Sequence, residues 1–329
     1  MRSLYISQQG CKLSLKKELL ILKKSKTLLQ EIQLPFLEQV FIFGNTQITT
    51  QAIQSCLKRN IPIVFLSQTG QCYGRLQPME RRYPQLIYQQ HLLSRSQRHL
   101  CAQYLVIAKL KNCRTLLMRQ RRRLKTADLD EAIGAIAGIA KKVPTAETNE
   151  QLLGLEGAAA AFYYQGFGRC ISNDTYRFTK RTRRPPKDPI NAGLSFGYQI
   201  IWNHILALIE TWGLDAYFAC LHSGSRRHAA LASDLVEQFR APIVDSLVLY
   251  LINKRMLNIE EDFTYQASAC YLNASGRRTF LAAFIERMQD SLTTNQGYQP
   301  RWEILNRQVK EFIRYVCKPQ QPYRPYLIQ

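Results

Sequence analysis

The hydrophobic pattern of the sequence changes once, near residue 76, and this change restricts the fold more than any other feature. Before it, the runs EQVFIFG and IPIVFLS are rich in β-branched and aromatic residues and end at Gly44 and Ser67, which is typical of strands. The segment SLYISQQGCKLSLKKELLIL alternates over short stretches on both sides of Gly10, which predicts a hairpin there. Between the two runs, TQAIQSCLKRN predicts a short helix.

The part of the chain after residue 76 is predicted to be helical. Residues 77–88, QPMERRYPQLIY, carry two prolines and a cluster of charges, which predicts a linker. Strands followed by helices, rather than alternating with them, indicate an α+β fold or a β-domain joined to an α-domain. We therefore predict an α+β protein with an N-terminal mainly-β domain at 1–76 and a larger all-α C-terminal domain at 89–329. The first domain shows no cluster of catalytic residue types, so we expect it to serve in dimerisation or partner docking.

The charge of the chain favours a polyanionic partner. Its 329 residues include 45 Lys and Arg against 24 Asp and Glu, a formal net charge of +21. Nucleic acid is the first candidate and an anionic membrane surface is the second. We find no run of about 18 uncharged apolar residues and no secretory signal pattern, and nine scattered cysteines without a CxxC pair predict buried free thiols. We therefore expect a cytoplasmic protein that does not span a membrane.

The strongest local charge signal runs from Arg81 to Ala127, where 12 Lys and Arg residues occur without a single Asp or Glu. Most charge runs are solvated faces, but a stretch this long without a carboxylate favours a surface that contacts the phosphate backbone. A second basic segment, RTRRPPKDP, is rich in proline and predicts a loop at the nucleic acid. The predicted DNA-binding residues are Lys109, Arg114, Arg119, Arg121, Arg122, Arg123, Arg181, Arg183 and Arg184.

Glu156 is a candidate site residue because it is an acid on an apolar helix face. Thr148 with Gln151 three residues later forms a capping-box pattern that starts the helix of LLGLEGAAAAFYYQGF. At about 100° per residue, Glu156 shares its face with Leu152, Ala159, Ala160 and Tyr163. An inward carboxylate costs about 3 kcal/mol or more unless it is paired or binds a metal. Glu156 is therefore predicted either to form a salt bridge with an arginine or to bind a metal ion.

The stretch GLDAYFACLHSGSRRHAALASDLVEQFR, Gly213–Arg240, offers the other half of a metal site. It places His222 at the end of a short apolar run and then Asp234 and Glu237 three residues apart, on one face of a predicted helix. Pro242 should end or kink this helix.

Glu156 and these three side chains together form a set of mostly oxygen ligands with one imidazole. Such a set suits Mg²⁺ or Mn²⁺ better than structural zinc, and it is used where a metal must bind a phosphate. Spacing alone does not assemble the four residues. His228, in the loop SGSRRHAA, could be an acid or base, a phosphate contact or a solvated loop residue.

The chain resembles the CRISPR-associated integrase family, Cas-one, the metal-dependent DNA enzyme of spacer acquisition. The motifs that carry the resemblance follow the family's order over nearly the full length: SLYIS, AKLKNCRTLLMR, LLGLEGAAAAFYYQGF, RTRRPPKDPINAGLSFGYQII, GLDAYFACLH, SDLVEQFRAPIVD and YRPYLIQ. The resemblance implies an N-terminal β-domain and a C-terminal helical domain. It also implies a homodimer and a complex with the small partner protein Cas-two.

The resemblance further implies a divalent metal held by a glutamate, a histidine and an acid. By motif these are Glu156 in the LGxEG context, His222 in a GxLH-like context and Glu237 in the DLxExFR context, with Asp234 as the neighbouring acid. One position departs from the pattern, because Ala219 stands where the family usually has glycine. This exchange of one small residue for another should not disturb the site.

The implied reaction is phosphoryl transfer on double-stranded DNA. A free 3′-hydroxyl of a captured fragment attacks a phosphodiester of the repeat by metal-assisted transesterification, and water in its place gives nuclease activity. Two alternatives stay open from the sequence. One is a general metal-dependent nuclease without integration, and the other is a non-enzymatic nucleic-acid-binding scaffold.

Overall fold

The computed structural model describes residues 2–68, 72–78, 84–224, 228–294 and 297–328. The chain divides into two compact units, one formed by Met1–Tyr83 with Thr211–Gly213 and the other by Pro84–Glu210 with Leu214–Gln329. The first unit is rich in strands and the second is mainly helical, so the predicted α+β class is confirmed.

The strand-rich unit contains eight strands, one α-helix and a short 3₁₀ turn, Leu34–Phe36, within the described residues. The strands are β1 (Arg2–Ile6), β2 (Cys11–Lys16), β3 (Leu19–Lys24), β4 (Thr27–Gln33), β5 (Leu37–Phe43), β6 (Thr46–Ile48), β7 (Ile63–Leu66) and β8 (Cys72–Leu76). They form two sheets, with the orders β1-β5-β7-β8 and β4-β3-β2-β6. The predicted short helix is α1 (Thr50–Lys58), and it begins where the Thr49 hydroxyl accepts a hydrogen bond from the Ala52 N–H.

The hairpin predicted around Gly10 is wrong. β1 pairs in parallel with β5, whereas β2 pairs with β3 in the other sheet, so Gly10 lies where the chain passes between sheets. Its φ of +73° is in the region that favours glycine, and its N–H donates to the Asn45 carbonyl. The hairpin forms between β2 and β3 instead, beside Lys17. Apolar residues of both sheets, among them the fully buried Leu13 of β2 and Val40 of β5, share one core.

The second unit is built mainly from ten helices within the described residues. They are α2 (Pro84–His91), α3 (Arg95–Leu124), α4 (Asp130–Lys142), α5 (Asn149–Arg169), α6 (Pro189–Thr211), α7 (Ala230–Phe239), α8 (Ser246–Asn253), α9 (Ile259–Asp262), α10 (Ala274–Gln289) and α11 (Arg301–Cys317). Two antiparallel strand pairs accompany them: β9 (Phe263–Gln266) with β10 (Ala269–Leu272), and β11 (Ser291–Thr294) with β12 (Gly297–Pro300).

Local capping signals set the starts of the helices that carry the site. The basic stretch forms two helices, because Ser94 and Gln97 make a reciprocal capping box that begins α3. α5 begins where predicted, with the Thr148 hydroxyl accepting from the Gln151 N–H at 3.3 Å. α7 ends before Pro242 as predicted, and a π-helical turn, Arg240–Asp245, joins it to α8.

The helical core is dominated by α6 and α7. By length and composition α6 is apolar enough to cross a membrane, but 83% of its most apolar 18-residue stretch is buried inside the protein. That degree of burial is typical of a core helix. All nine cysteines are free thiols, and seven of them are buried, which confirms the interpretation of cysteine usage.

Candidate metal centre

The predicted site residues come from α3, α5, α7 and the loop that precedes α7. All ten residues of α7 are buried, which gives its two acids unusual surroundings. Asp234 is 0% exposed and Glu237 is 5% exposed. A carboxylate so deeply buried must be hydrogen-bonded or paired with positive charge, and each acid meets this need in its own way.

Asp234 binds the loop of His222. One of its oxygens accepts from the backbone N–H groups of Cys220 and Leu221, at 2.7 and 2.9 Å. The other accepts from the backbone N–H of His222 at 3.0 Å and lies 2.8 Å from its Nδ1. Because a carboxylate only accepts, Nδ1 carries a proton and Nε2 is left as the nitrogen that can bind a metal. Asp234 therefore positions His222 instead of facing a ligand itself.

The same contacts set the proton affinity of the imidazole. Burial lowers the pKa of His222, but the hydrogen bond and the negative charge of Asp234, assisted by Glu237, outweigh burial, so the pKa is raised. The positive charge of Lys109 acts in the opposite direction and lowers the pKa of His222. These interactions place the ring in the same electrostatic cluster as the second acid of α7.

The carboxylates of Glu156 and Glu237 converge on the ammonium group of Lys109. Lys109 Nζ donates a hydrogen bond to Glu156 Oε1 and lies 2.5 Å from Glu237 Oε2. Glu237 Oε2 has no hydrogen-bond partner among the described residues, so its contact with Nζ is ionic without hydrogen-bond alignment. Arg240 Nη2 lies 3.1 Å from the other oxygen of Glu237. Two acids and two bases thus form a largely buried cluster.

Mutual attraction keeps this cluster charged. Burial would raise the pKa of Glu237, but the positive charges of Arg240 and Lys109 lower it to about 2. Burial likewise opposes the charge on Lys109, and the negative charges of Glu237 and Glu156 outweigh it, so the pKa of Lys109 is raised. Glu156 therefore forms the salt bridge that was one of its two predicted alternatives, although its partner is a lysine and not an arginine.

The residue types fit a divalent ion, although they are not arranged as a metal cluster. Within the described ranges, no three His, Cys, Asp or Glu side chains stand together so that they could hold an ion. Glu156 and Glu237 nevertheless already meet at one cation, Lys109, and Glu237 Oε2 is a buried acceptor without a hydrogen-bond partner. With the oriented Nε2 of His222, they supply the oxygen and imidazole donors that suit Mg²⁺ or Mn²⁺.

A cleft that opens to solvent, with about 410 Å³ of empty space, is lined by Glu156 together with Lys109 and Arg240. Asp245 lines it and accepts hydrogen bonds from the hydroxyls of Tyr163, at 2.5 Å, and of Tyr198. Burial raises the pKa of Asp245, and the two hydrogen bonds oppose this. The Arg240 guanidinium lies 4.9 Å from the centre of the Tyr198 ring, which fixes the base that pairs with Glu237.

Sequence reasoning missed Asp245 and Arg240. The signal for Asp245 was present, because it is an acid within the apolar run IVDSLVLYL, the same kind of signal that identified Glu156. Arg240 gave no comparable signal, since a basic residue at a helix end is ordinary on a protein surface.

The predicted DNA-binding residues of α3 differ in their surroundings. Arg121 forms an ion pair with Asp130, with Nη2 2.9 Å from Oδ2. Arg119, Arg122 and Arg123 are exposed, and Arg114 is half-buried. Lys109 lies in the acid–base cluster of the candidate site. The basic surface proposed for DNA is therefore carried at the exposed end of α3.

The basic loop before α6 separates into two kinds of arginine. Arg181 donates hydrogen bonds to the side chains of Asn191, at 2.8 Å, and Ser195, at 3.0 Å. It also lies over the ring of Tyr198. Arg183 lines the cleft and is exposed, as is Arg184. Arg181 therefore ties the loop to α6, and the other two arginines face outward.

His228 is held in place near the start of α7. Its Nε2 lies 3.0 Å from the Ser233 hydroxyl, and its ring stacks on Trp202 with the centroids 6.2 Å apart. Burial lowers the pKa of His228, and the positive charge of His222 acts in the same direction. These contacts make it a packed side chain and not a solvated one.

Comparison with known proteins shows which sequences the chain is similar to. A family model described as CRISPR associated protein Cas1 matches residues 4–286. The CRISPR-associated endonuclease Cas1 1 of Thermus thermophilus is 30% identical over 297 residues, which cover 90% of each chain. A CRISPR-associated exonuclease Cas4/endonuclease Cas1 fusion of Geobacter sulfurreducens is 34% identical over 290 residues, and the match covers 83% of this chain but only 50% of the fusion.

A solved structure supports the same relationship. A chain of a Cas6-RT-Cas1–Cas2 complex superposes on the whole of this chain with a TM-score of 0.82 and 26% identity, and the match spans 36% of that chain. The two proteins thus share a fold across the strand-rich and the helical units.

Proposed function

Because the chain belongs to the family of CRISPR associated protein Cas1, we propose that it is a metal-dependent DNA integrase and endonuclease of CRISPR adaptation. In the proposed reaction, the 3′-hydroxyl of a captured DNA fragment attacks a phosphodiester of repeat DNA. Water in place of the hydroxyl gives hydrolysis. The observation that carries the proposal is the pair of carboxylates, the partly buried Glu156 and the buried Glu237, that meet at one cation beside an imidazole oriented by Asp234.

We assign Glu156, His222 and Glu237 as the metal ligands. Bound there, Mg²⁺ or Mn²⁺ would polarise the phosphodiester and offset negative charge on its oxygens. Asp234 keeps Nε2 of His222 free, and Arg240 adds a fixed positive charge next to Glu237. The attacking group comes from DNA or water, so the proposed chemistry needs no protein nucleophile.

The proposed partners are double-stranded DNA, both fragment and repeat, a second copy of this chain, and the small protein Cas2. The Cas2 assignment is supported by the solved complex, whose name includes both Cas1 and Cas2. We propose that residues 1–76 serve dimerisation or docking, that 77–88 connect, and that 89–329 carry catalysis. A cytoplasmic location without a membrane partner completes the proposal.

The exposed arginines of α3 should contribute directly to DNA affinity. Each phosphate contact contributes about −0.9 to the slope of log affinity against log salt concentration. The double variant Arg122→Ala/Arg123→Ala should therefore make this slope shallower by about 2 in fluorescence anisotropy titrations with duplex DNA.

Arg121→Ala is the matched control, because Asp130 already neutralises Arg121. We expect its salt slope to change by less than half as much as in the double variant. An unchanged salt slope in the double variant would show that this end of α3 does not contact DNA.

A strand-transfer assay tests the proposed function. Purified protein with Cas2, a short duplex with free 3′-hydroxyl ends and repeat DNA should give a covalently joined product in Mg²⁺ or Mn²⁺, and none after chelation. Hydrolysis without joined product would favour a general nuclease. DNA binding without either reaction would favour a non-enzymatic scaffold.

A further inference from the structure

Lys109 occupies the point at which the two proposed carboxylate ligands meet. We propose that Lys109 is an internal counter-ion that holds Glu156 and Glu237 together in the metal-free protein, and that a divalent cation must displace its ammonium group in order to bind. The proposal rests on the proposed function only in taking these two glutamates as metal ligands.

The distances leave no room for both cations between the carboxylates. Lys109 Nζ donates to Glu156 Oε1 and lies 2.5 Å from Glu237 Oε2. A magnesium ion requires its oxygen ligands at about 2.0–2.1 Å, so it would have to take nearly the same position.

Charge leads to the same conclusion. Glu156 and Glu237 carry two negative charges, and Lys109 and Arg240 carry two positive ones, so the four groups are balanced. A divalent ion added to the balanced cluster would leave four positive charges against two negative ones in a largely buried place. Movement of Lys109 away from the carboxylates removes part of that excess.

Of the two bases, Lys109 is the one able to move. Its side chain has a flexible four-carbon stem, and it lines the open cleft, which the exposed Arg183 also lines. Arg240 instead stacks on Tyr198 and contacts Oε1 of Glu237, whereas Lys109 Nζ contacts Oε2. An ion could therefore replace the ammonium group while Arg240 keeps its position.

Acylation of lysine amines in the wild-type protein tests the displacement directly. With a water-soluble acetylating ester and peptide mass spectrometry, Lys109 should react slowly in metal-free protein and several-fold faster at saturating Mn²⁺. Lys111, which is exposed on the same helix, is the matched control and should react equally in both states. Mn²⁺ saturation is established separately, from electron paramagnetic resonance of the free ion.

A variant gives an independent measurement. Lys109→Met removes the competing cation, so it should bind Mn²⁺ about tenfold more tightly or better and show a larger rise in Tm on adding Mn²⁺. Lys111→Met should match the wild type in both. Where Lys109→Met fails to fold, the acylation result decides the question.

The outcomes separate this inference from the proposed function. If Mn²⁺ binds through Glu156 but the acylation rate of Lys109 is unchanged, the counter-ion role of Lys109 is contradicted and the metal-site assignment is not. Mn²⁺ that does not bind, or that binds equally to a Glu156→Gln variant, would overturn both.

Discussion

Replacement of Glu156 by glutamine should lower the rate of DNA joining by about 10³-fold or more. Glutamine keeps the size of the side chain but removes its negative charge. The site therefore loses an anionic metal ligand, and the metal stabilises the reacting phosphate less. A loss of this size corresponds to about 4 kcal/mol of transition-state stabilisation, which is typical of metal-assisted phosphoryl transfer. Single-turnover joining assays with labelled DNA fragments measure the rate.

DNA affinity should change by less than about twofold in the same variant, because the exposed arginines of α3 are untouched. Glu150→Gln is the matched control, since Glu150 is an exposed acid on the same helix, α5, and its loss should leave joining unchanged. If the Glu156→Gln protein keeps more than a tenth of the wild-type joining rate, the assignment of Glu156 as a metal ligand is contradicted.

Replacement of Asp234 by alanine should lower the free energy of unfolding by about 3–5 kcal/mol. The fully buried carboxylate accepts from the backbone N–H groups of residues 220, 221 and 222 and contacts His222 Nδ1. Its removal leaves these donors buried without an acceptor, and each such group costs about 1–3 kcal/mol before the loop relaxes. Denaturant unfolding followed by circular dichroism measures the loss.

Asp174→Ala is the comparison for Asp234→Ala, because Asp174 is exposed and its removal should change stability by less than about 0.5 kcal/mol. Asp234→Asn should fall between the two, since its amide oxygen still accepts while its nitrogen faces donors. Mn²⁺ affinity should also fall in both variants at position 234, by about 10–100-fold, because His222 loses its orientation. An alanine variant as stable as wild type would contradict the positioning role.

The fold was predictable where local chemistry sets it. The strand runs, the start of α5 at Thr148 and the end of α7 before Pro242 follow from residues close together in the chain. The hairpin at Gly10 was mispredicted because β1 pairs with a strand that is distant in sequence. The partner of β1 is β5, more than thirty residues away, and no local signal near Gly10 reports that parallel pairing.

The site was predictable in its residue types but not in its internal roles. Glu156 was found because an acid on an apolar face needs a partner, yet α3 supplies that partner from a segment interpreted as a DNA surface. Only the packing of α3 against α5 and α7 places Lys109 between the acids. The role of Asp234 depends on backbone N–H groups of a loop, and sequence does not reveal where these point.

Anomalous diffraction from Mn²⁺-soaked crystals tests the central claim, that Glu156, His222 and Glu237 bind one divalent ion. We expect a single strong peak within about 2.0–2.6 Å of a carboxylate oxygen of each glutamate and of His222 Nε2. We also expect Lys109 Nζ to have left the space between the two acids. A peak held by other residues, or no peak at Mn²⁺ concentrations that support DNA joining, would contradict the claim.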